Sequence, residues 1–234
     1  MYINWIMYLI LLIVKKKKII NMLYMKQGWS KKMLFAFKEL QKIELFFREI
    51  IEMHGFPKDR SVPNDFSSLA RIIIGQQISR SAADSIYLKL VSKKLIDVKS
   101  LLKVDLLDLK KIGLSLQKCN YIKNLALKIS KEEIILERFE KLSSQEVFKT
   151  LINLKGIGEW TINNYRLFAL QDIDAWPGSD LALKESIKRL KNFDIRPNTI
   201  DMQIISNKWK PFRGAAALIL WHYYGNIKRL RNDN

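Results

Sequence analysis

The stretch LKGIGEWTINNY, from Leu154 to Tyr165, sets two glycines around one isoleucine and then enters a helix-like run. Glycine admits positive φ and lets another backbone come close. The first N–H groups of a helix point outward, and the helix dipole favours negative charge beside them. Gly156, Ile157 and Gly158 therefore have two readings. They are the C-capping glycine of one helix plus a short loop, or a tight hairpin that grips a phosphate together with the first turn holding Thr161. Ile157 is expected to pack inward and fix the turn. Trp160, Asn164 and Tyr165 follow on the same helix.

Away from this stretch the pattern is helical almost throughout. Ala36, Leu40, Ile43, Phe47 and Ile50 form an apolar stripe that Gly55 and Pro57 close. Asp65 or Ser67 is expected to cap the next helix, and Ser79 and Ser115 to cap two more. Ser143 and Glu146 have capping-box spacing. Pro177 and Gly178 interrupt the chain before SDLALKESIKRL, and the last helix, RGAAALILWHYYG, is expected to end at Gly225. Strand-like alternation is scarce and short. The expectation is an all-α protein of about ten helices, with no internal repeat and no low-complexity linker.

Hydrophobic residues make up 48% of the 234, enough for a full core and against general disorder. Lys and Arg number 41 against 23 Asp and Glu, a formal charge of +18. The first 32 residues carry seven lysines and no acid, so residues 33–234 keep +11 without them. Such an excess favours polyanionic partners, nucleic acid before anionic membrane. An AT-rich genome, which inflates Lys, Ile and Asn, is the other source. The single cysteine, Cys119, excludes an internal disulfide, a four-cysteine zinc site and a cysteine-ligated iron–sulfur cluster. It aligns with Ile122, Leu125, Ala126 and Ile129 at helical spacing and reads as a buried thiol. His54 and His222 are too few and too distant in sequence for a metal site, so no metal is expected.

The N-terminal MYINWIMYLILLIV is followed by KKKK. An apolar run of about 14 residues is short of the roughly 20 that span a bilayer. Its charge follows the run, where a secretory signal places charge before it. Three readings stand: a start assigned upstream of Met22, Met25 or Met33, a short anchor with cytoplasmic lysines, or an extra buried helix. The first is preferred, and membrane association is not expected.

Five motifs in order resemble one family: GQQIS, LKGIGEWTINNY with LFAL, DAWPGSD closing on Asp180, and WKPFRGAAALILW, with GLSLQKCNYIKNLA before the hairpin. It is the helix–hairpin–helix DNA glycosylase superfamily, in its 3-methyladenine DNA glycosylase II branch. The resemblance runs from about Met33 to Arg231 and points to the short form without an N-terminal β-rich domain. It implies two helical subdomains with the active-site cleft between them. One is built from residues 33–61 and 171–232. The other, 62–170, carries the helix–hairpin–helix, and residues 1–32 form an extension.

The resemblance also implies a function. The chain is expected to be a DNA repair N-glycosylase that flips out and excises alkylated purines of the 3-methyladenine and 7-methylguanine type. Asp180, 22 residues past Gly158, is the expected catalytic carboxylate, stabilising an oxocarbenium-like sugar. Asp172 and Asp174 compete for that role. Trp160 stands where bifunctional relatives keep a Schiff-base lysine, so a monofunctional enzyme that leaves an abasic site is implied. Trp160 and Trp221, with Asn164 and Tyr165, are expected to line the base pocket, where an indole face suits a cationic base. Asn164 departs from an aromatic found in the branch, which puts substrate range in question. Gln76, Gln77, Ile78 and Ser79 match the wedge loop, with Gln77 as the inserted side chain and Ile78 as the alternative. No cofactor is expected beyond a monovalent cation that hairpin carbonyls of this family can hold. The expected partner is double-stranded DNA with damaged bases, bound by a cytoplasmic, nucleoid-associated monomer. Two alternatives remain: the same fold acting on oxidised or deaminated bases, and a non-catalytic helix–hairpin–helix DNA-binding protein.

Overall fold

Short polar side chains decide where the helices begin. The computed structural model describes residues 28–232, and over these the chain forms twelve α-helices and two 3-10 turns with no strand. The apolar N-terminal run lies outside the described residues. Ser30 caps α1 (Lys31–Ile43), and α2 (Leu45–His54) follows after one residue. Asp65 caps α3 (Phe66–Gly75) and Ser79 caps α4 (Arg80–Ser92). The short α5 (Val98–Lys103) and α6 (Leu106–Ile112) lead into α7 (Leu116–Ser130), capped by Ser115. A 3-10 turn at Leu136–Lys141 precedes α8 (Ser144–Ile152), where Ser143 and Glu146 form the reciprocal capping box. After the glycine hairpin come α9 (Glu159–Phe168), α10 (Leu181–Leu190) and α11 (Thr199–Ser206). A 3-10 turn at Asn207–Trp209 leads to α12 (Arg213–Asn232).

Two cores organise these helices. Phe37 and Leu40 of α1 and Phe47 and Ile50 of α2 pack with Leu183 and Ile187 of α10, Met202 of α11, Trp209 of the second 3-10 turn and Ile219 of α12. This core is made from both ends of the described chain. The second is made from the middle: Leu69 and Ile73 of α3, Leu109 of α6, Cys119 and Ile122 of α7, Leu151 of α8, and Ile157, Ile162 and Tyr165 at the hairpin and α9. Each large aliphatic side chain removed from water adds about 1.5–3 kcal/mol to its core. The architecture is all-α with two helical subdomains. α9 joins them, giving Ile162 and Tyr165 to one core and Leu167 to the other. Cys119 is fully buried, and burial pushes its thiol above the ordinary cysteine value.

Two local expectations are corrected. The first apolar stripe does not belong to one helix, because Glu44 is extended (φ −136°, ψ 131°) and separates α1 from α2. Its carboxylate accepts from Lys208 Nζ at 2.7 Å and Trp209 Nε1 at 3.3 Å. Burial opposes its charge, but those donors and Lys191 outweigh burial and hold the carboxyl below its usual range. The break turns Ile43 out of the core, to 38% exposure. The last helix runs through Gly225 rather than stopping there. His54 and His222, distant in sequence, lie edge to face with ring centroids 6.2 Å apart. No helix among the described residues is long and apolar enough to cross a membrane.

Candidate active site

The two glycines of the hairpin have different reasons to be there. Gly156 has φ +85°, and a Cβ on it would fall 2.1 Å from the Tyr121 ring. The fold itself therefore demands glycine at 156. Gly158 is extended (φ −102°, ψ 177°), and a Cβ there would meet nothing within 4 Å. Nothing inside the chain requires glycine at 158. Ile157 is buried in the second core, and its N–H bonds to Leu154 O at 3.0 Å, so it anchors the turn as expected. No side chain caps the first turn of α9.

The loop after α3 is tied to this hairpin. Gln76 Nε2 donates to Gly156 O at 2.9 Å and to Thr161 Oγ1 at 2.8 Å. The side chains of Gln76 and Thr161 are thus engaged with each other, and Thr161 is only 2% exposed. Both were expected at the DNA surface, and as side chains both serve as braces. Lys118 of α7, which the sequence did not single out, donates from Nζ to Ile74 O and Gln76 O at 2.7 Å each. Ser79 is occupied as the cap of α4, accepting from Ala82 N. Beyond these braces, Gln77 and Ile78 stand exposed at the loop tip, with Gln77 at φ +56°.

Asp180 is the N-cap of α10. Its Oδ1 accepts from Ala182 N at 2.9 Å, Leu183 N at 3.1 Å and Trp221 Nε1 at 3.0 Å. Its Oδ2 accepts from Trp160 Nε1 at 2.9 Å. One carboxylate thus joins α9, α10 and α12, and with them the two subdomains. The competing acids have other duties. Asp172 pairs with Arg166 Nη2 at 2.6 Å and Asp174 with Arg213 Nη2 at 2.6 Å. Among the described residues Asp180 has no Lys or Arg ion pair, so its charge remains available to a substrate.

The aromatic surroundings correct two pocket residues. Tyr165 is fully buried in the second core, its hydroxyl bonded to Asn64 and its ring edge-on to Phe139. Five residues on from Trp160 is about 140° around a helix, so Tyr165 faces away from it. Asn164, 5% exposed, turns back on its helix, Nδ2 donating to Trp160 O at 2.7 Å. The aromatic that accompanies the tryptophans is Phe168, which stacks on Trp221 with centroids 5.7 Å apart and planes 20° apart. Its spacing from Trp160 and Asn164, i+8 and i+4, was the signal that could have found it. Among the described residues no group of three or more His, Cys, Asp or Glu is placed to hold a metal ion.

Comparison with known proteins agrees with this geometry. Residues 70–211 match the HhH-GPD superfamily base excision DNA repair protein family. The alkylbase DNA glycosidase-like protein mag2 of Schizosaccharomyces pombe is 28% identical over 162 residues, 67% of this chain and 76% of that protein. A DNA-3-methyladenine glycosylase of Bacillus subtilis is 32% identical over 114 residues, but these span only 49% of this chain and 38% of the relative. The S. pombe 3-methyladenine DNA glycosylase Mag1, solved in complex with abasic DNA, superposes with a TM-score of 0.73 at 26% identity, covering 80% of this chain and 94% of that one. The matched region runs from α3 through the hairpin and Asp180 to the start of the last helix, and on that ground the chain belongs to the HhH-GPD superfamily of base excision DNA repair proteins.

Proposed function

We propose that the chain is a monofunctional DNA glycosylase that excises alkylated purines from duplex DNA and leaves an abasic site. The observation that carries this reading is the carboxylate of Asp180, held by two indole N–H groups where the subdomains meet. A carboxylate carries about four lone-pair sites. Oδ1 already takes three donors and Oδ2 one, so Oδ2 is the oxygen with room to act. Held beside the sugar, it stabilises the positive charge that develops at C1′ as the glycosidic bond breaks, and it orients the attacking water. A cationic alkylated base is an intrinsically good leaving group, which fits a site whose free charge is a carboxylate. The relatives' names support the alkylated-base assignment. Trp160 carries no amine for a Schiff base, which supports base release without strand cleavage.

Extrusion of the base requires a filler for the gap in the duplex. Gln77 takes that role in this reading, with Ile78 beside it, on a loop that Gln76 and Lys118 hold against the hairpin. The bare first turn of α9 and Gly158 receive a backbone phosphate. The test is base release from methylated duplex DNA by wild type and Asp180→Asn. The wild type is expected to release methylpurines and leave the strand intact, and the variant to be slower by at least about 100-fold. Equal rates, or no release by the wild type, overturn the mechanism.

A further inference from the structure

The segment between α2 and α3 carries a cation that the mechanism above does not use. Arg60 is exposed and, among the described residues, makes no hydrogen bond and no ion pair. Its guanidinium carbon lies 4.9 Å from the centroid of the Phe168 ring. Phe168 in turn stacks on Trp221, whose indole N–H holds Asp180. Arg60 therefore closes a layered stack that begins beside the carboxylate. Its place is fixed from both sides: Ser61 N bonds to Asp59 Oδ1 at 2.8 Å, and Val62 N bonds to Phe168 O at 3.0 Å.

The charges around it are unbalanced. Arg60 interacts with the charges of Arg80, Arg71, Asp84 and Asp180. Arg71 and Arg80 share the single acid Asp84, at 2.7 and 3.8 Å. Three guanidinium groups thus gather between the wedge loop and Asp180 with one acid committed among them. Burial, and then the like charges of Arg80 and Arg71, push Arg60 down to about 10, although the residue keeps access to solvent. Stacking on Phe168 occupies a face of the guanidinium. Its N–H donors lie in the plane, at the edge, and stay free to form the paired bonds that suit a phosphate.

We propose that Arg60, with Arg71 and Arg80 behind it, binds a phosphodiester of the lesion-bearing strand next to the extruded nucleotide. The proposal rests on the glycosylase reading, which sets Asp180 against C1′. The phosphates of a nucleotide lie one sugar away from that carbon, and Arg60 is a cation, without an ion pair among the described residues, that feels the charge of Asp180. This contact lies at the C-terminal end of α9, whose N-terminal end follows the hairpin, so the extruded nucleotide's strand gains a second anchored phosphate. The bound phosphate also offsets the local positive charge as a cationic base enters.

The test measures binding of the full chain to duplexes with and without a stable abasic-site analogue, over a range of salt. Wild type, Arg60→Ala and Arg60→Lys are compared, with thermal melting alongside. Loss of one phosphate contact should make the slope of log affinity against log salt about 0.9 less negative. Across a fourfold rise in salt, the wild-type advantage over R60A should therefore shrink by about 3-fold. R60K should keep the wild-type slope, and the R60A loss should be larger on the abasic duplex than on the intact one. An unchanged slope in R60A, or an R60K slope equal to that of R60A, overturns the proposal and leaves Arg60 as packing for Phe168. Base release by the wild type is measured in parallel. Its absence, with the slope change present, rejects the glycosylase reading and leaves the phosphate contact standing.

Discussion

Asp180 owes its position to three separate elements: two backbone N–H groups of α10 and one indole N–H each from α9 and α12, and each indole bond can be removed alone. Trp160→Phe keeps the ring and deletes the donor on Oδ2. A hydrogen bond to a charged group is worth about 1.5–3 kcal/mol. Base release should therefore slow by about 10- to 100-fold. A Trp160→Phe enzyme as fast as wild type shows that Oδ2 needs no orienting donor. The type of these residues was legible in sequence, since the order of motifs pointed to Asp180, Trp160 and Trp221. Their partners were not. That both indoles donate to the same carboxylate, and that Asp172 and Asp174 are consumed by Arg166 and Arg213, depends on how helices far apart in sequence meet.

At the scale of the element, the hairpin separates two demands on glycine. Gly156→Ala should destabilise the fold by at least about 2 kcal/mol, through positive φ and the Tyr121 ring. Gly158→Ala should leave stability unchanged, since its Cβ enters open space, yet weaken DNA binding by about tenfold through lost backbone approach to phosphate. Chemical denaturation and DNA titration of the two variants check the pair. Full affinity in Gly158→Ala removes the hairpin from the DNA interface. Helix starts were legible because caps are local: Ser79, Ser115 and the Ser143–Glu146 box stand where residue type put them. Interruptions that depend on distant partners were not. Glu44 breaks α1 from α2 because Lys208 and Trp209 meet its carboxylate, and Gly225 stays helical inside α12 although its type suits a helix end. Tyr165 was misplaced because it stands beside Asn164, where the resembled branch can have an aromatic, whereas the helical angle puts it in the core.

For the whole molecule, one ion pair across the subdomain junction, Asp172 with Arg166, responds to acid. Burial raises the Asp172 carboxyl, but the Ser144 hydroxyl, the Arg166 charge and the Asp174 N–H together outweigh burial and hold it below its ordinary range. With its folded pKa below the unfolded value of about 3.9, its stabilisation is complete above that value. It is lost as pH falls through the folded pKa. Asp172→Asn should cost about 3 kcal/mol at pH 7, because Arg166 is left half-paired in a largely buried setting, and the gap to wild type should narrow as pH falls below about 4. Urea denaturation at pH 7 and at pH 3 measures both, and a gap that is constant with pH removes Asp172 from the acid response. The sealed cores have a further use. The chain's one thiol, Cys119, is walled off between α3, α7 and their neighbours and is held protonated by its burial. Thiol-directed electrophiles in solution therefore have no accessible native thiol to attack. A cysteine introduced at an exposed position such as Gln77 could be given a fluorophore selectively, which would let the insertion of the loop into DNA be timed directly in the otherwise unmodified protein.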